Sequence, residues 1–329
     1  MAPRALVAPD SFKGTFDAPA VARALADGLA EAGWQTDPCP VADGGEGTLS
    51  ILVEALGGEL VETEASDPLG RRVTCRFGLV DGGATAIVEM AQASGLARVR
   101  AQERDAWRAS TAGTGELILA AAATGAREVL VAVGGSATTD GGAGAIAAIR
   151  AGGGLGDARL VVLCDVEAAF EDAPRIFGPQ KGADGATVAR LEQRLHALAQ
   201  TLPRDPRGMR FGGCAGGLSG GLWAAFGAEL RAGAPAVLDA LGVDERMRAA
   251  QLVVAGEGCL DEQSFGGKIV GELVRRADAA GVAVHAVIGT SRLSPDAAAR
   301  AGLARVWTAT TLEDITAVSR ALGEACGPR

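Results

Sequence analysis

The chain has 329 residues, 48% hydrophobic and 22% charged, enough apolar material for one large or two ordinary domains. Its net charge of -9, with no compensating basic stripe, excludes a nucleic acid or an anionic membrane surface as the expected partner. No apolar run reaches the ~18 residues of a membrane span and no secretory segment opens the sequence, so a cytoplasmic location is expected.

In chain order, an apolar run at Ala5–Ala8 predicts a buried strand and Pro19–Ala32 a helix. The runs Leu60–Glu64, Arg72–Leu79 and Thr85–Met90 then follow one another through turns such as Asp67-Pro68-Leu69-Gly70, with no helix between them. This meander marks the start of a second layered unit. Beyond it, strands at Glu128–Val133, Leu160–Cys164, Leu252–Ala255 and Val282–Ile288 alternate with helices at Glu116–Ala123 and Val188–Leu202. The expected fold class is α/β: one parallel-sheet domain (1–60 and 247–329) with a second α/β domain (61–246) inserted into it, and the active site in the cleft.

Six Cys stand singly, at 39, 75, 164, 214, 259 and 326, and the chain has only two His, His196 and His285, so the spacing of a zinc site is missing. Both His fall in apolar surroundings and read as packing. With no Tyr either, proton transfer falls to carboxylates.

Of 31 basic residues only three are Lys, namely Lys13, Lys181 and Lys268, and each adjoins a Gly. A sequence that has drifted to Arg retains Lys where a compact ammonium is needed, although exposed turns also tolerate Lys. Acidic residues stand where apolar runs end: Asp10, Asp43 with Glu46, Asp165 and Glu257. In open α/β sheets ligands bind at those ends, and several carboxylates gathered there call for a shared hard cation such as magnesium. Each acid alone could be a helix cap.

The run Gly134-Gly135-Ser136-Ala137-Thr138-Thr139-Asp140-Gly141-Gly142 leaves a strand and leads into an Ala-rich helix, the composition of a phosphate cradle or of a tight strand-to-helix turn. Ser110–Gly115 and Cys214–Gly221 are shorter versions. Lys268 is followed by Ile269, so GxxxxGK[ST] is absent, and the first strand lacks GxGxxG; a P-loop NTPase and a nicotinamide oxidoreductase are thereby disfavoured.

At these residues the sequence resembles the bacterial glycerate kinase family. The matching stretches are APDSFKGT (8–15), PVADGGEGT (40–48), DPLGR (67–71), VEMAQASGL (88–96), GTGEL (113–117), GGSATTDGGAG (134–144), FGPQKGA (177–183), AGGLSGGL (215–222) and AGEGCLDEQSFGGK (255–268). The segment between Gly154 and Asp165 is shorter than is usual in that family, and Val166-Glu167-Ala168-Ala169 stands where an Asn-containing stretch is common.

The resemblance implies a flavodoxin-like domain carrying an inserted domain. It also implies transfer of the γ-phosphoryl group of ATP to D-glycerate, with ATP and Mg2+ as cofactors. The product would be ADP with 2-phosphoglycerate, or 3-phosphoglycerate as the alternative. A monomer or homodimer is expected, and a degenerate, non-catalytic glycerate- or nucleotide-binding scaffold is the competing reading.

Chemistry mapped onto the matching motifs assigns catalytic roles to Lys13, Asp43, Asp165 and Lys268, and substrate contacts to Asp10, Ser11, Glu46 and Lys181. Nucleotide contacts fall to Gly134, Gly135, Ser136, Thr138, Gly141, Gly142 and Glu257, and magnesium to Asp43, Asp165 and Asp261.

Overall fold

A parallel strand covered on both faces has no solvent side, so its sequence cannot alternate; β1 (Arg4–Pro9) meets that condition, with Ala5, Leu6, Val7 and Ala8 all fully buried. The structure, a computed structural model, describes residues 2–327; Met1, Pro328 and Arg329, at the ends of the first expected domain, lie outside it. Helix α1 (Ala18–Glu31) starts where the Asp17 side chain accepts from the Ala20 amide at 2.8 Å, and β2 (Gln35–Pro38) pairs in parallel with β1.

The chain then builds a second unit from α2 (Thr48–Ala55), β3 (Glu59–Ser66), β4 (Arg72–Val80), β5 (Thr85–Glu89), the short α3 (Ala91–Ser94), α4 (Ala112–Ala122) and β6 (Glu128–Ala132). It continues with α5 (Ala143–Ala151), β7 (Arg159–Cys164), α6 (Ala173–Phe177), α7 (Gly185–Thr201), α8 (Cys214–Phe226) and β8 (Glu229–Ala232). The return to the first unit runs through α9 (Gly233–Ala240), α10 (Val243–Arg248), β9 (Leu252–Leu260), α11 (Ile269–Ala280), β10 (Ala283–Ser291), α12 (Pro295–Arg300), β11 (Leu303–Thr308) and α13 (Leu312–Cys326).

The two compact units comprise residues up to Asp43 with those from Ala234 on, and Gly44–Gly233. These joins come earlier than the ones expected near 60 and 247, because α2 packs on β4 and β5 and because α10 packs on α11.

In the first unit the sheet order is β11-β10-β9-β1-β2, all parallel. Counted within the unit this is the 2-1-3-4-5 order of flavodoxin-like folds, whose ligand crevice lies at the carboxyl ends of the first and third strands. Val7, Leu25, Leu29, Val254, Ile315 and Leu322 fill the layer between this sheet and α1 and α13.

In the second unit the order is β3-β4-β5-β6-β7-β8, with the β3–β4–β5 meander antiparallel and β5 through β8 parallel. The short 154–165 segment costs the sheet nothing: α5 ends, a glycine turn follows, and β7 pairs in register with β6 and β8.

Helices α1 and α13 approach so closely that Gly28 has no room for a methyl group: a Cβ there would stand 2.2 Å from the Thr316 carbonyl oxygen and 2.9 Å from the Arg320 amide. Both obstacles are backbone and cannot turn aside. Gly28→Ala should gain ~1 kcal/mol of helix propensity and lose more to overpacking, about 1–3 kcal/mol beyond that gain, so its thermal unfolding midpoint should fall. An unchanged or raised midpoint would contradict the close approach.

Candidate functional site

Strand ends in the first unit converge on a pocket of about 390 Å³ lined by residues following all five of its strands. After β1 come Asp10, Ser11, Phe12 and Lys13; after β2, Asp43; from β9, Glu257 and Gly258; after it, Asp261 and Lys268; from β10, Gly289 and Thr290; after β11, Thr310. Of the residues singled out in the sequence, this pocket assembles Asp10, Ser11, Lys13, Asp43, Glu257, Asp261 and Lys268.

Its charges are unevenly placed with respect to water. Lys13 is mostly exposed and its Nζ lies 4.0 Å from the buried Asp43 carboxylate. Asp10 accepts from the Ser11 amide at 2.6 Å. Burial first, and then the Asp43 charge, raise Asp10 from the ordinary 3.8 to about 7. Burial likewise raises Glu257 to about 7, offset in part by the Ser264 hydroxyl and Lys268, and its Oε1 is buried with no hydrogen-bond partner.

Lys268 is the N-cap residue of α11, and its side chain makes no capping hydrogen bond. An ammonium cannot accept from the first amides of this 12-residue helix, and the positive end of the helix beside Lys268 favours an anion.

Of the expected magnesium set, Asp43 and Asp261 line this pocket and Asp165 belongs to the second unit; among the described residues no group of three His, Cys, Asp or Glu side chains is spaced to hold a metal. The donors that are present, hard carboxylate oxygens including the unpartnered Glu257 Oε1, fit an ion held by one or two carboxylates and completed by ligand phosphates and water, as is usual for magnesium.

The remaining sequence candidates lie in the second unit. Gly134 and Gly135 follow β6, with Asp165 Oδ2 and Glu46 Oε2 beside them, 3.3 and 3.4 Å from where a Cβ would stand on each. Ser136 is almost covered, and the Thr138 and Thr139 hydroxyls are buried without partners.

The expectation of a phosphate cradle over the whole 134–142 loop narrows here. The buried Asp140 carboxylate accepts from Gly142 N (3.0 Å), Gly144 N (3.1 Å), Thr111 N (2.9 Å) and Thr111 Oγ1, while Gly141 N donates to Gly216 O. The α5 amino terminus thus already has its anion. Thr138, Gly141 and Gly142 are interior, and of Gly134–Ser136 only Gly135 is exposed.

Lys181, read from sequence as a substrate contact, is 2% exposed and donates to Ser136 Oγ and the Thr138 carbonyl.

Sequence reasoning passed over Asp140 and Glu89. Glu89 ends β5, is buried, and its Oε2 accepts from Gly47 N and Leu49 N at the start of α2. The signal was present in both: an acid at a strand end, and an acid directly before a Gly-Gly helix start. Thr290, at the end of β10, and Thr310, just after β11, belong to strand ends that carry no acid, so nothing in the sequence distinguished them.

A carboxyl raised from 3.8 to about 7 on folding subtracts stability as pH climbs between those values, because the native state holds a proton that the unfolded chain has released. In magnesium-free buffer Asp10→Asn should therefore melt higher than the parent at pH 8. The gap should close as pH falls toward 4, and a gap independent of pH would show that burial does not govern this carboxyl.

The chain matches the glycerate kinase family over residues 5–153 and 150–325, the two stretches meeting beside the shortened segment. It is 38% identical over 301 residues to glycerate 2-kinase of Escherichia coli (strain K12), covering 80% of this chain and 79% of that one. It is 36% identical over 326 residues to glycerate kinase of Bacillus subtilis (strain 168), covering 87% and 84%. The crystal structure of a candidate glycerate kinase 2 from Salmonella typhimurium LT2 superposes with a TM-score of 0.82 at 33% identity, covering 99% of this chain and 98% of that one. With both units and nearly the full length in agreement, the chain belongs to the glycerate kinase family.

Proposed function

We propose that the protein transfers the γ-phosphoryl group of ATP to the 2-hydroxyl of D-glycerate, giving 2-phosphoglycerate and ADP, with magnesium required. The observation that carries this reading is the pairing of two ammonium groups, Lys13 and Lys268, with poised carboxyls in one strand-end pocket. Phosphoryl transfer asks a protein chiefly for positioning and charge neutralisation, and this pocket offers both.

In this reading Lys268 and the first amides of α11 take nucleotide phosphate oxygens. Lys13, held near Asp43, neutralises the substrate carboxylate or the transferring phosphoryl group. Asp43 and Asp261 are the carboxylates for magnesium, which when bound supplies charge neutralisation on the phosphates.

Asp10 is the proton acceptor: as the glycerate hydroxyl oxygen bonds to phosphorus and the bridging oxygen leaves with ADP, the hydroxyl proton passes to the Asp10 carboxylate. A carboxyl near 7 suits that task at neutral pH. In the second unit the Gly134–Ser136 turn is assigned to a phosphate oxygen, through the Ser136 hydroxyl.

Purified protein should release ADP only when D-glycerate and magnesium are both present, and phosphorus NMR of the product should show a 2-phosphate ester. Thermal stabilisation by ligand without ADP release from any related hydroxy acid would instead establish a binding protein. Lys13→Arg keeps the charge but not the compact ammonium, so its turnover should drop at least ~10-fold. Parent-like rates in that variant would remove Lys13 from the mechanism.

A further inference from the structure

Lys181 ends a short 3-10 turn (Pro179–Lys181) between α6 and α7, and its ammonium is wholly inside the second unit. Nζ lies 2.8 Å from Ser136 Oγ and 2.6 Å from the Thr138 carbonyl oxygen. The void along its stem is lined by Leu69, Leu96, Val99 and Ala137 among others, and is too small for a water molecule. Burial lowers its pKa to about 7, opposed by the charges of Asp140 and Asp165. Desolvating a lysine is costly, and the two oxygens that it meets lie on one loop.

A serine hydroxyl has one proton to give and two lone pairs to receive with. As an ammonium, Lys181 donates to Ser136 Oγ, occupies one of its lone pairs and cannot receive the serine proton, which then points elsewhere. The backbone around Ser136 is tied as well: Leu96 N donates to Gly135 O and Ala137 N to Ser94 O. The Ser136 hydroxyl can still rotate about its Cβ–Oγ bond.

We propose that Lys181 is a positioning residue that never touches substrate: it fixes Ser136 as a hydrogen-bond donor directed out of the interior, and holds the Thr138 end of the same turn. This rests on the reading above that Ser136 donates to a phosphate oxygen. Arg cannot replace it, because the guanidinium fork needs volume that the surrounding void does not have.

The test compares Lys181→Met, Ser136→Ala and the double variant by steady-state kinetics, together with hydrogen exchange of the 134–139 segment and thermal unfolding. Each single variant should lose ~10–100-fold in kcat with substrate KM values changed less than ~3-fold, and the double variant should lose no more than the worse single one. Exchange in Lys181→Met should rise at 134–139 ahead of the rest of the unit.

Losses that multiply in the double variant, or parent-like exchange at 134–139, would overturn the proposal. Should Lys181→Met fail to fold, Ser136→Ala decides: exchange at 137–139 should rise as Lys181 loses one of its two anchors, and no rise overturns the brace. If the parent protein itself forms no ADP from D-glycerate, the functional reading falls, while the exchange data still decide whether Lys181 braces the turn.

Discussion

Withdrawal of ionisable groups from water at the carboxyl ends of parallel strands is the constraint on which the chemistry of both units depends. A buried carboxyl must gain donors, a cation or a proton. Asp140 takes the first course, collecting three backbone amides and a hydroxyl, and becomes part of the scaffold. Glu89 takes it in part, with two amides from the start of α2. Asp10 has one short amide contact, and Glu257 keeps an oxygen with none. The less a strand-end acid is satisfied by its own backbone, the more of its bonding capacity remains for a ligand, and by that measure Asp10 and Glu257 retain the most.

The same reasoning separates the two helix starts that the glycine clusters mark. At α5 the amides close on Asp140; at α11 the N-cap residue is Lys268, whose side chain has no acceptor to offer. The α5 start is further sealed from beneath by the first turn of α8, where Ala215, Gly216 and Gly217 adopt left-handed backbone angles and a Cβ on Gly216 would stand 2.1 Å from the Thr138 carbonyl oxygen. That carbonyl is therefore held by Lys181 while α8 packs against it, and the loop carrying Ser136 has little freedom left.

Much of the fold was legible. Continuous apolar runs identified β1, β6, β7, β9 and β10, because strands buried on both faces leave an unbroken signal, and the 59–90 meander announced a second sheet. The strands β2 and β11 were not legible: Gln35–Pro38 carries no buried residue and Leu303–Thr308 only one, as expected of edge strands with a wet side. Helix α13 is an amphipathic segment whose apolar face makes sense only against α1 and Trp34. In the site, acids at strand ends were readable because position along a strand dictates which end a side chain occupies. Whether a neighbouring amide already satisfies such an acid depends on pairings distant in sequence, as between Thr111 and Asp140, and no local pattern encodes them.

The three lysines show where residue-type reasoning holds and where it divides. The three Lys retained in an Arg-rich chain stand in three different settings. Lys13 is mostly in water beside the Asp43 carboxylate; Lys268 stands at a helix start; Lys181 is enclosed with both of its oxygen partners on one loop. Adjacent glycine means accessibility for the first two, since it lets the chain turn at a pocket rim. For Lys181 it means the opposite: Gly182 has a left-handed backbone and packs against the Arg104 carbonyl, which turns the chain so that the lysine points inward. One compositional signal thus covers three different placements, and the backbone around each glycine decides whether the lysine faces water or the interior.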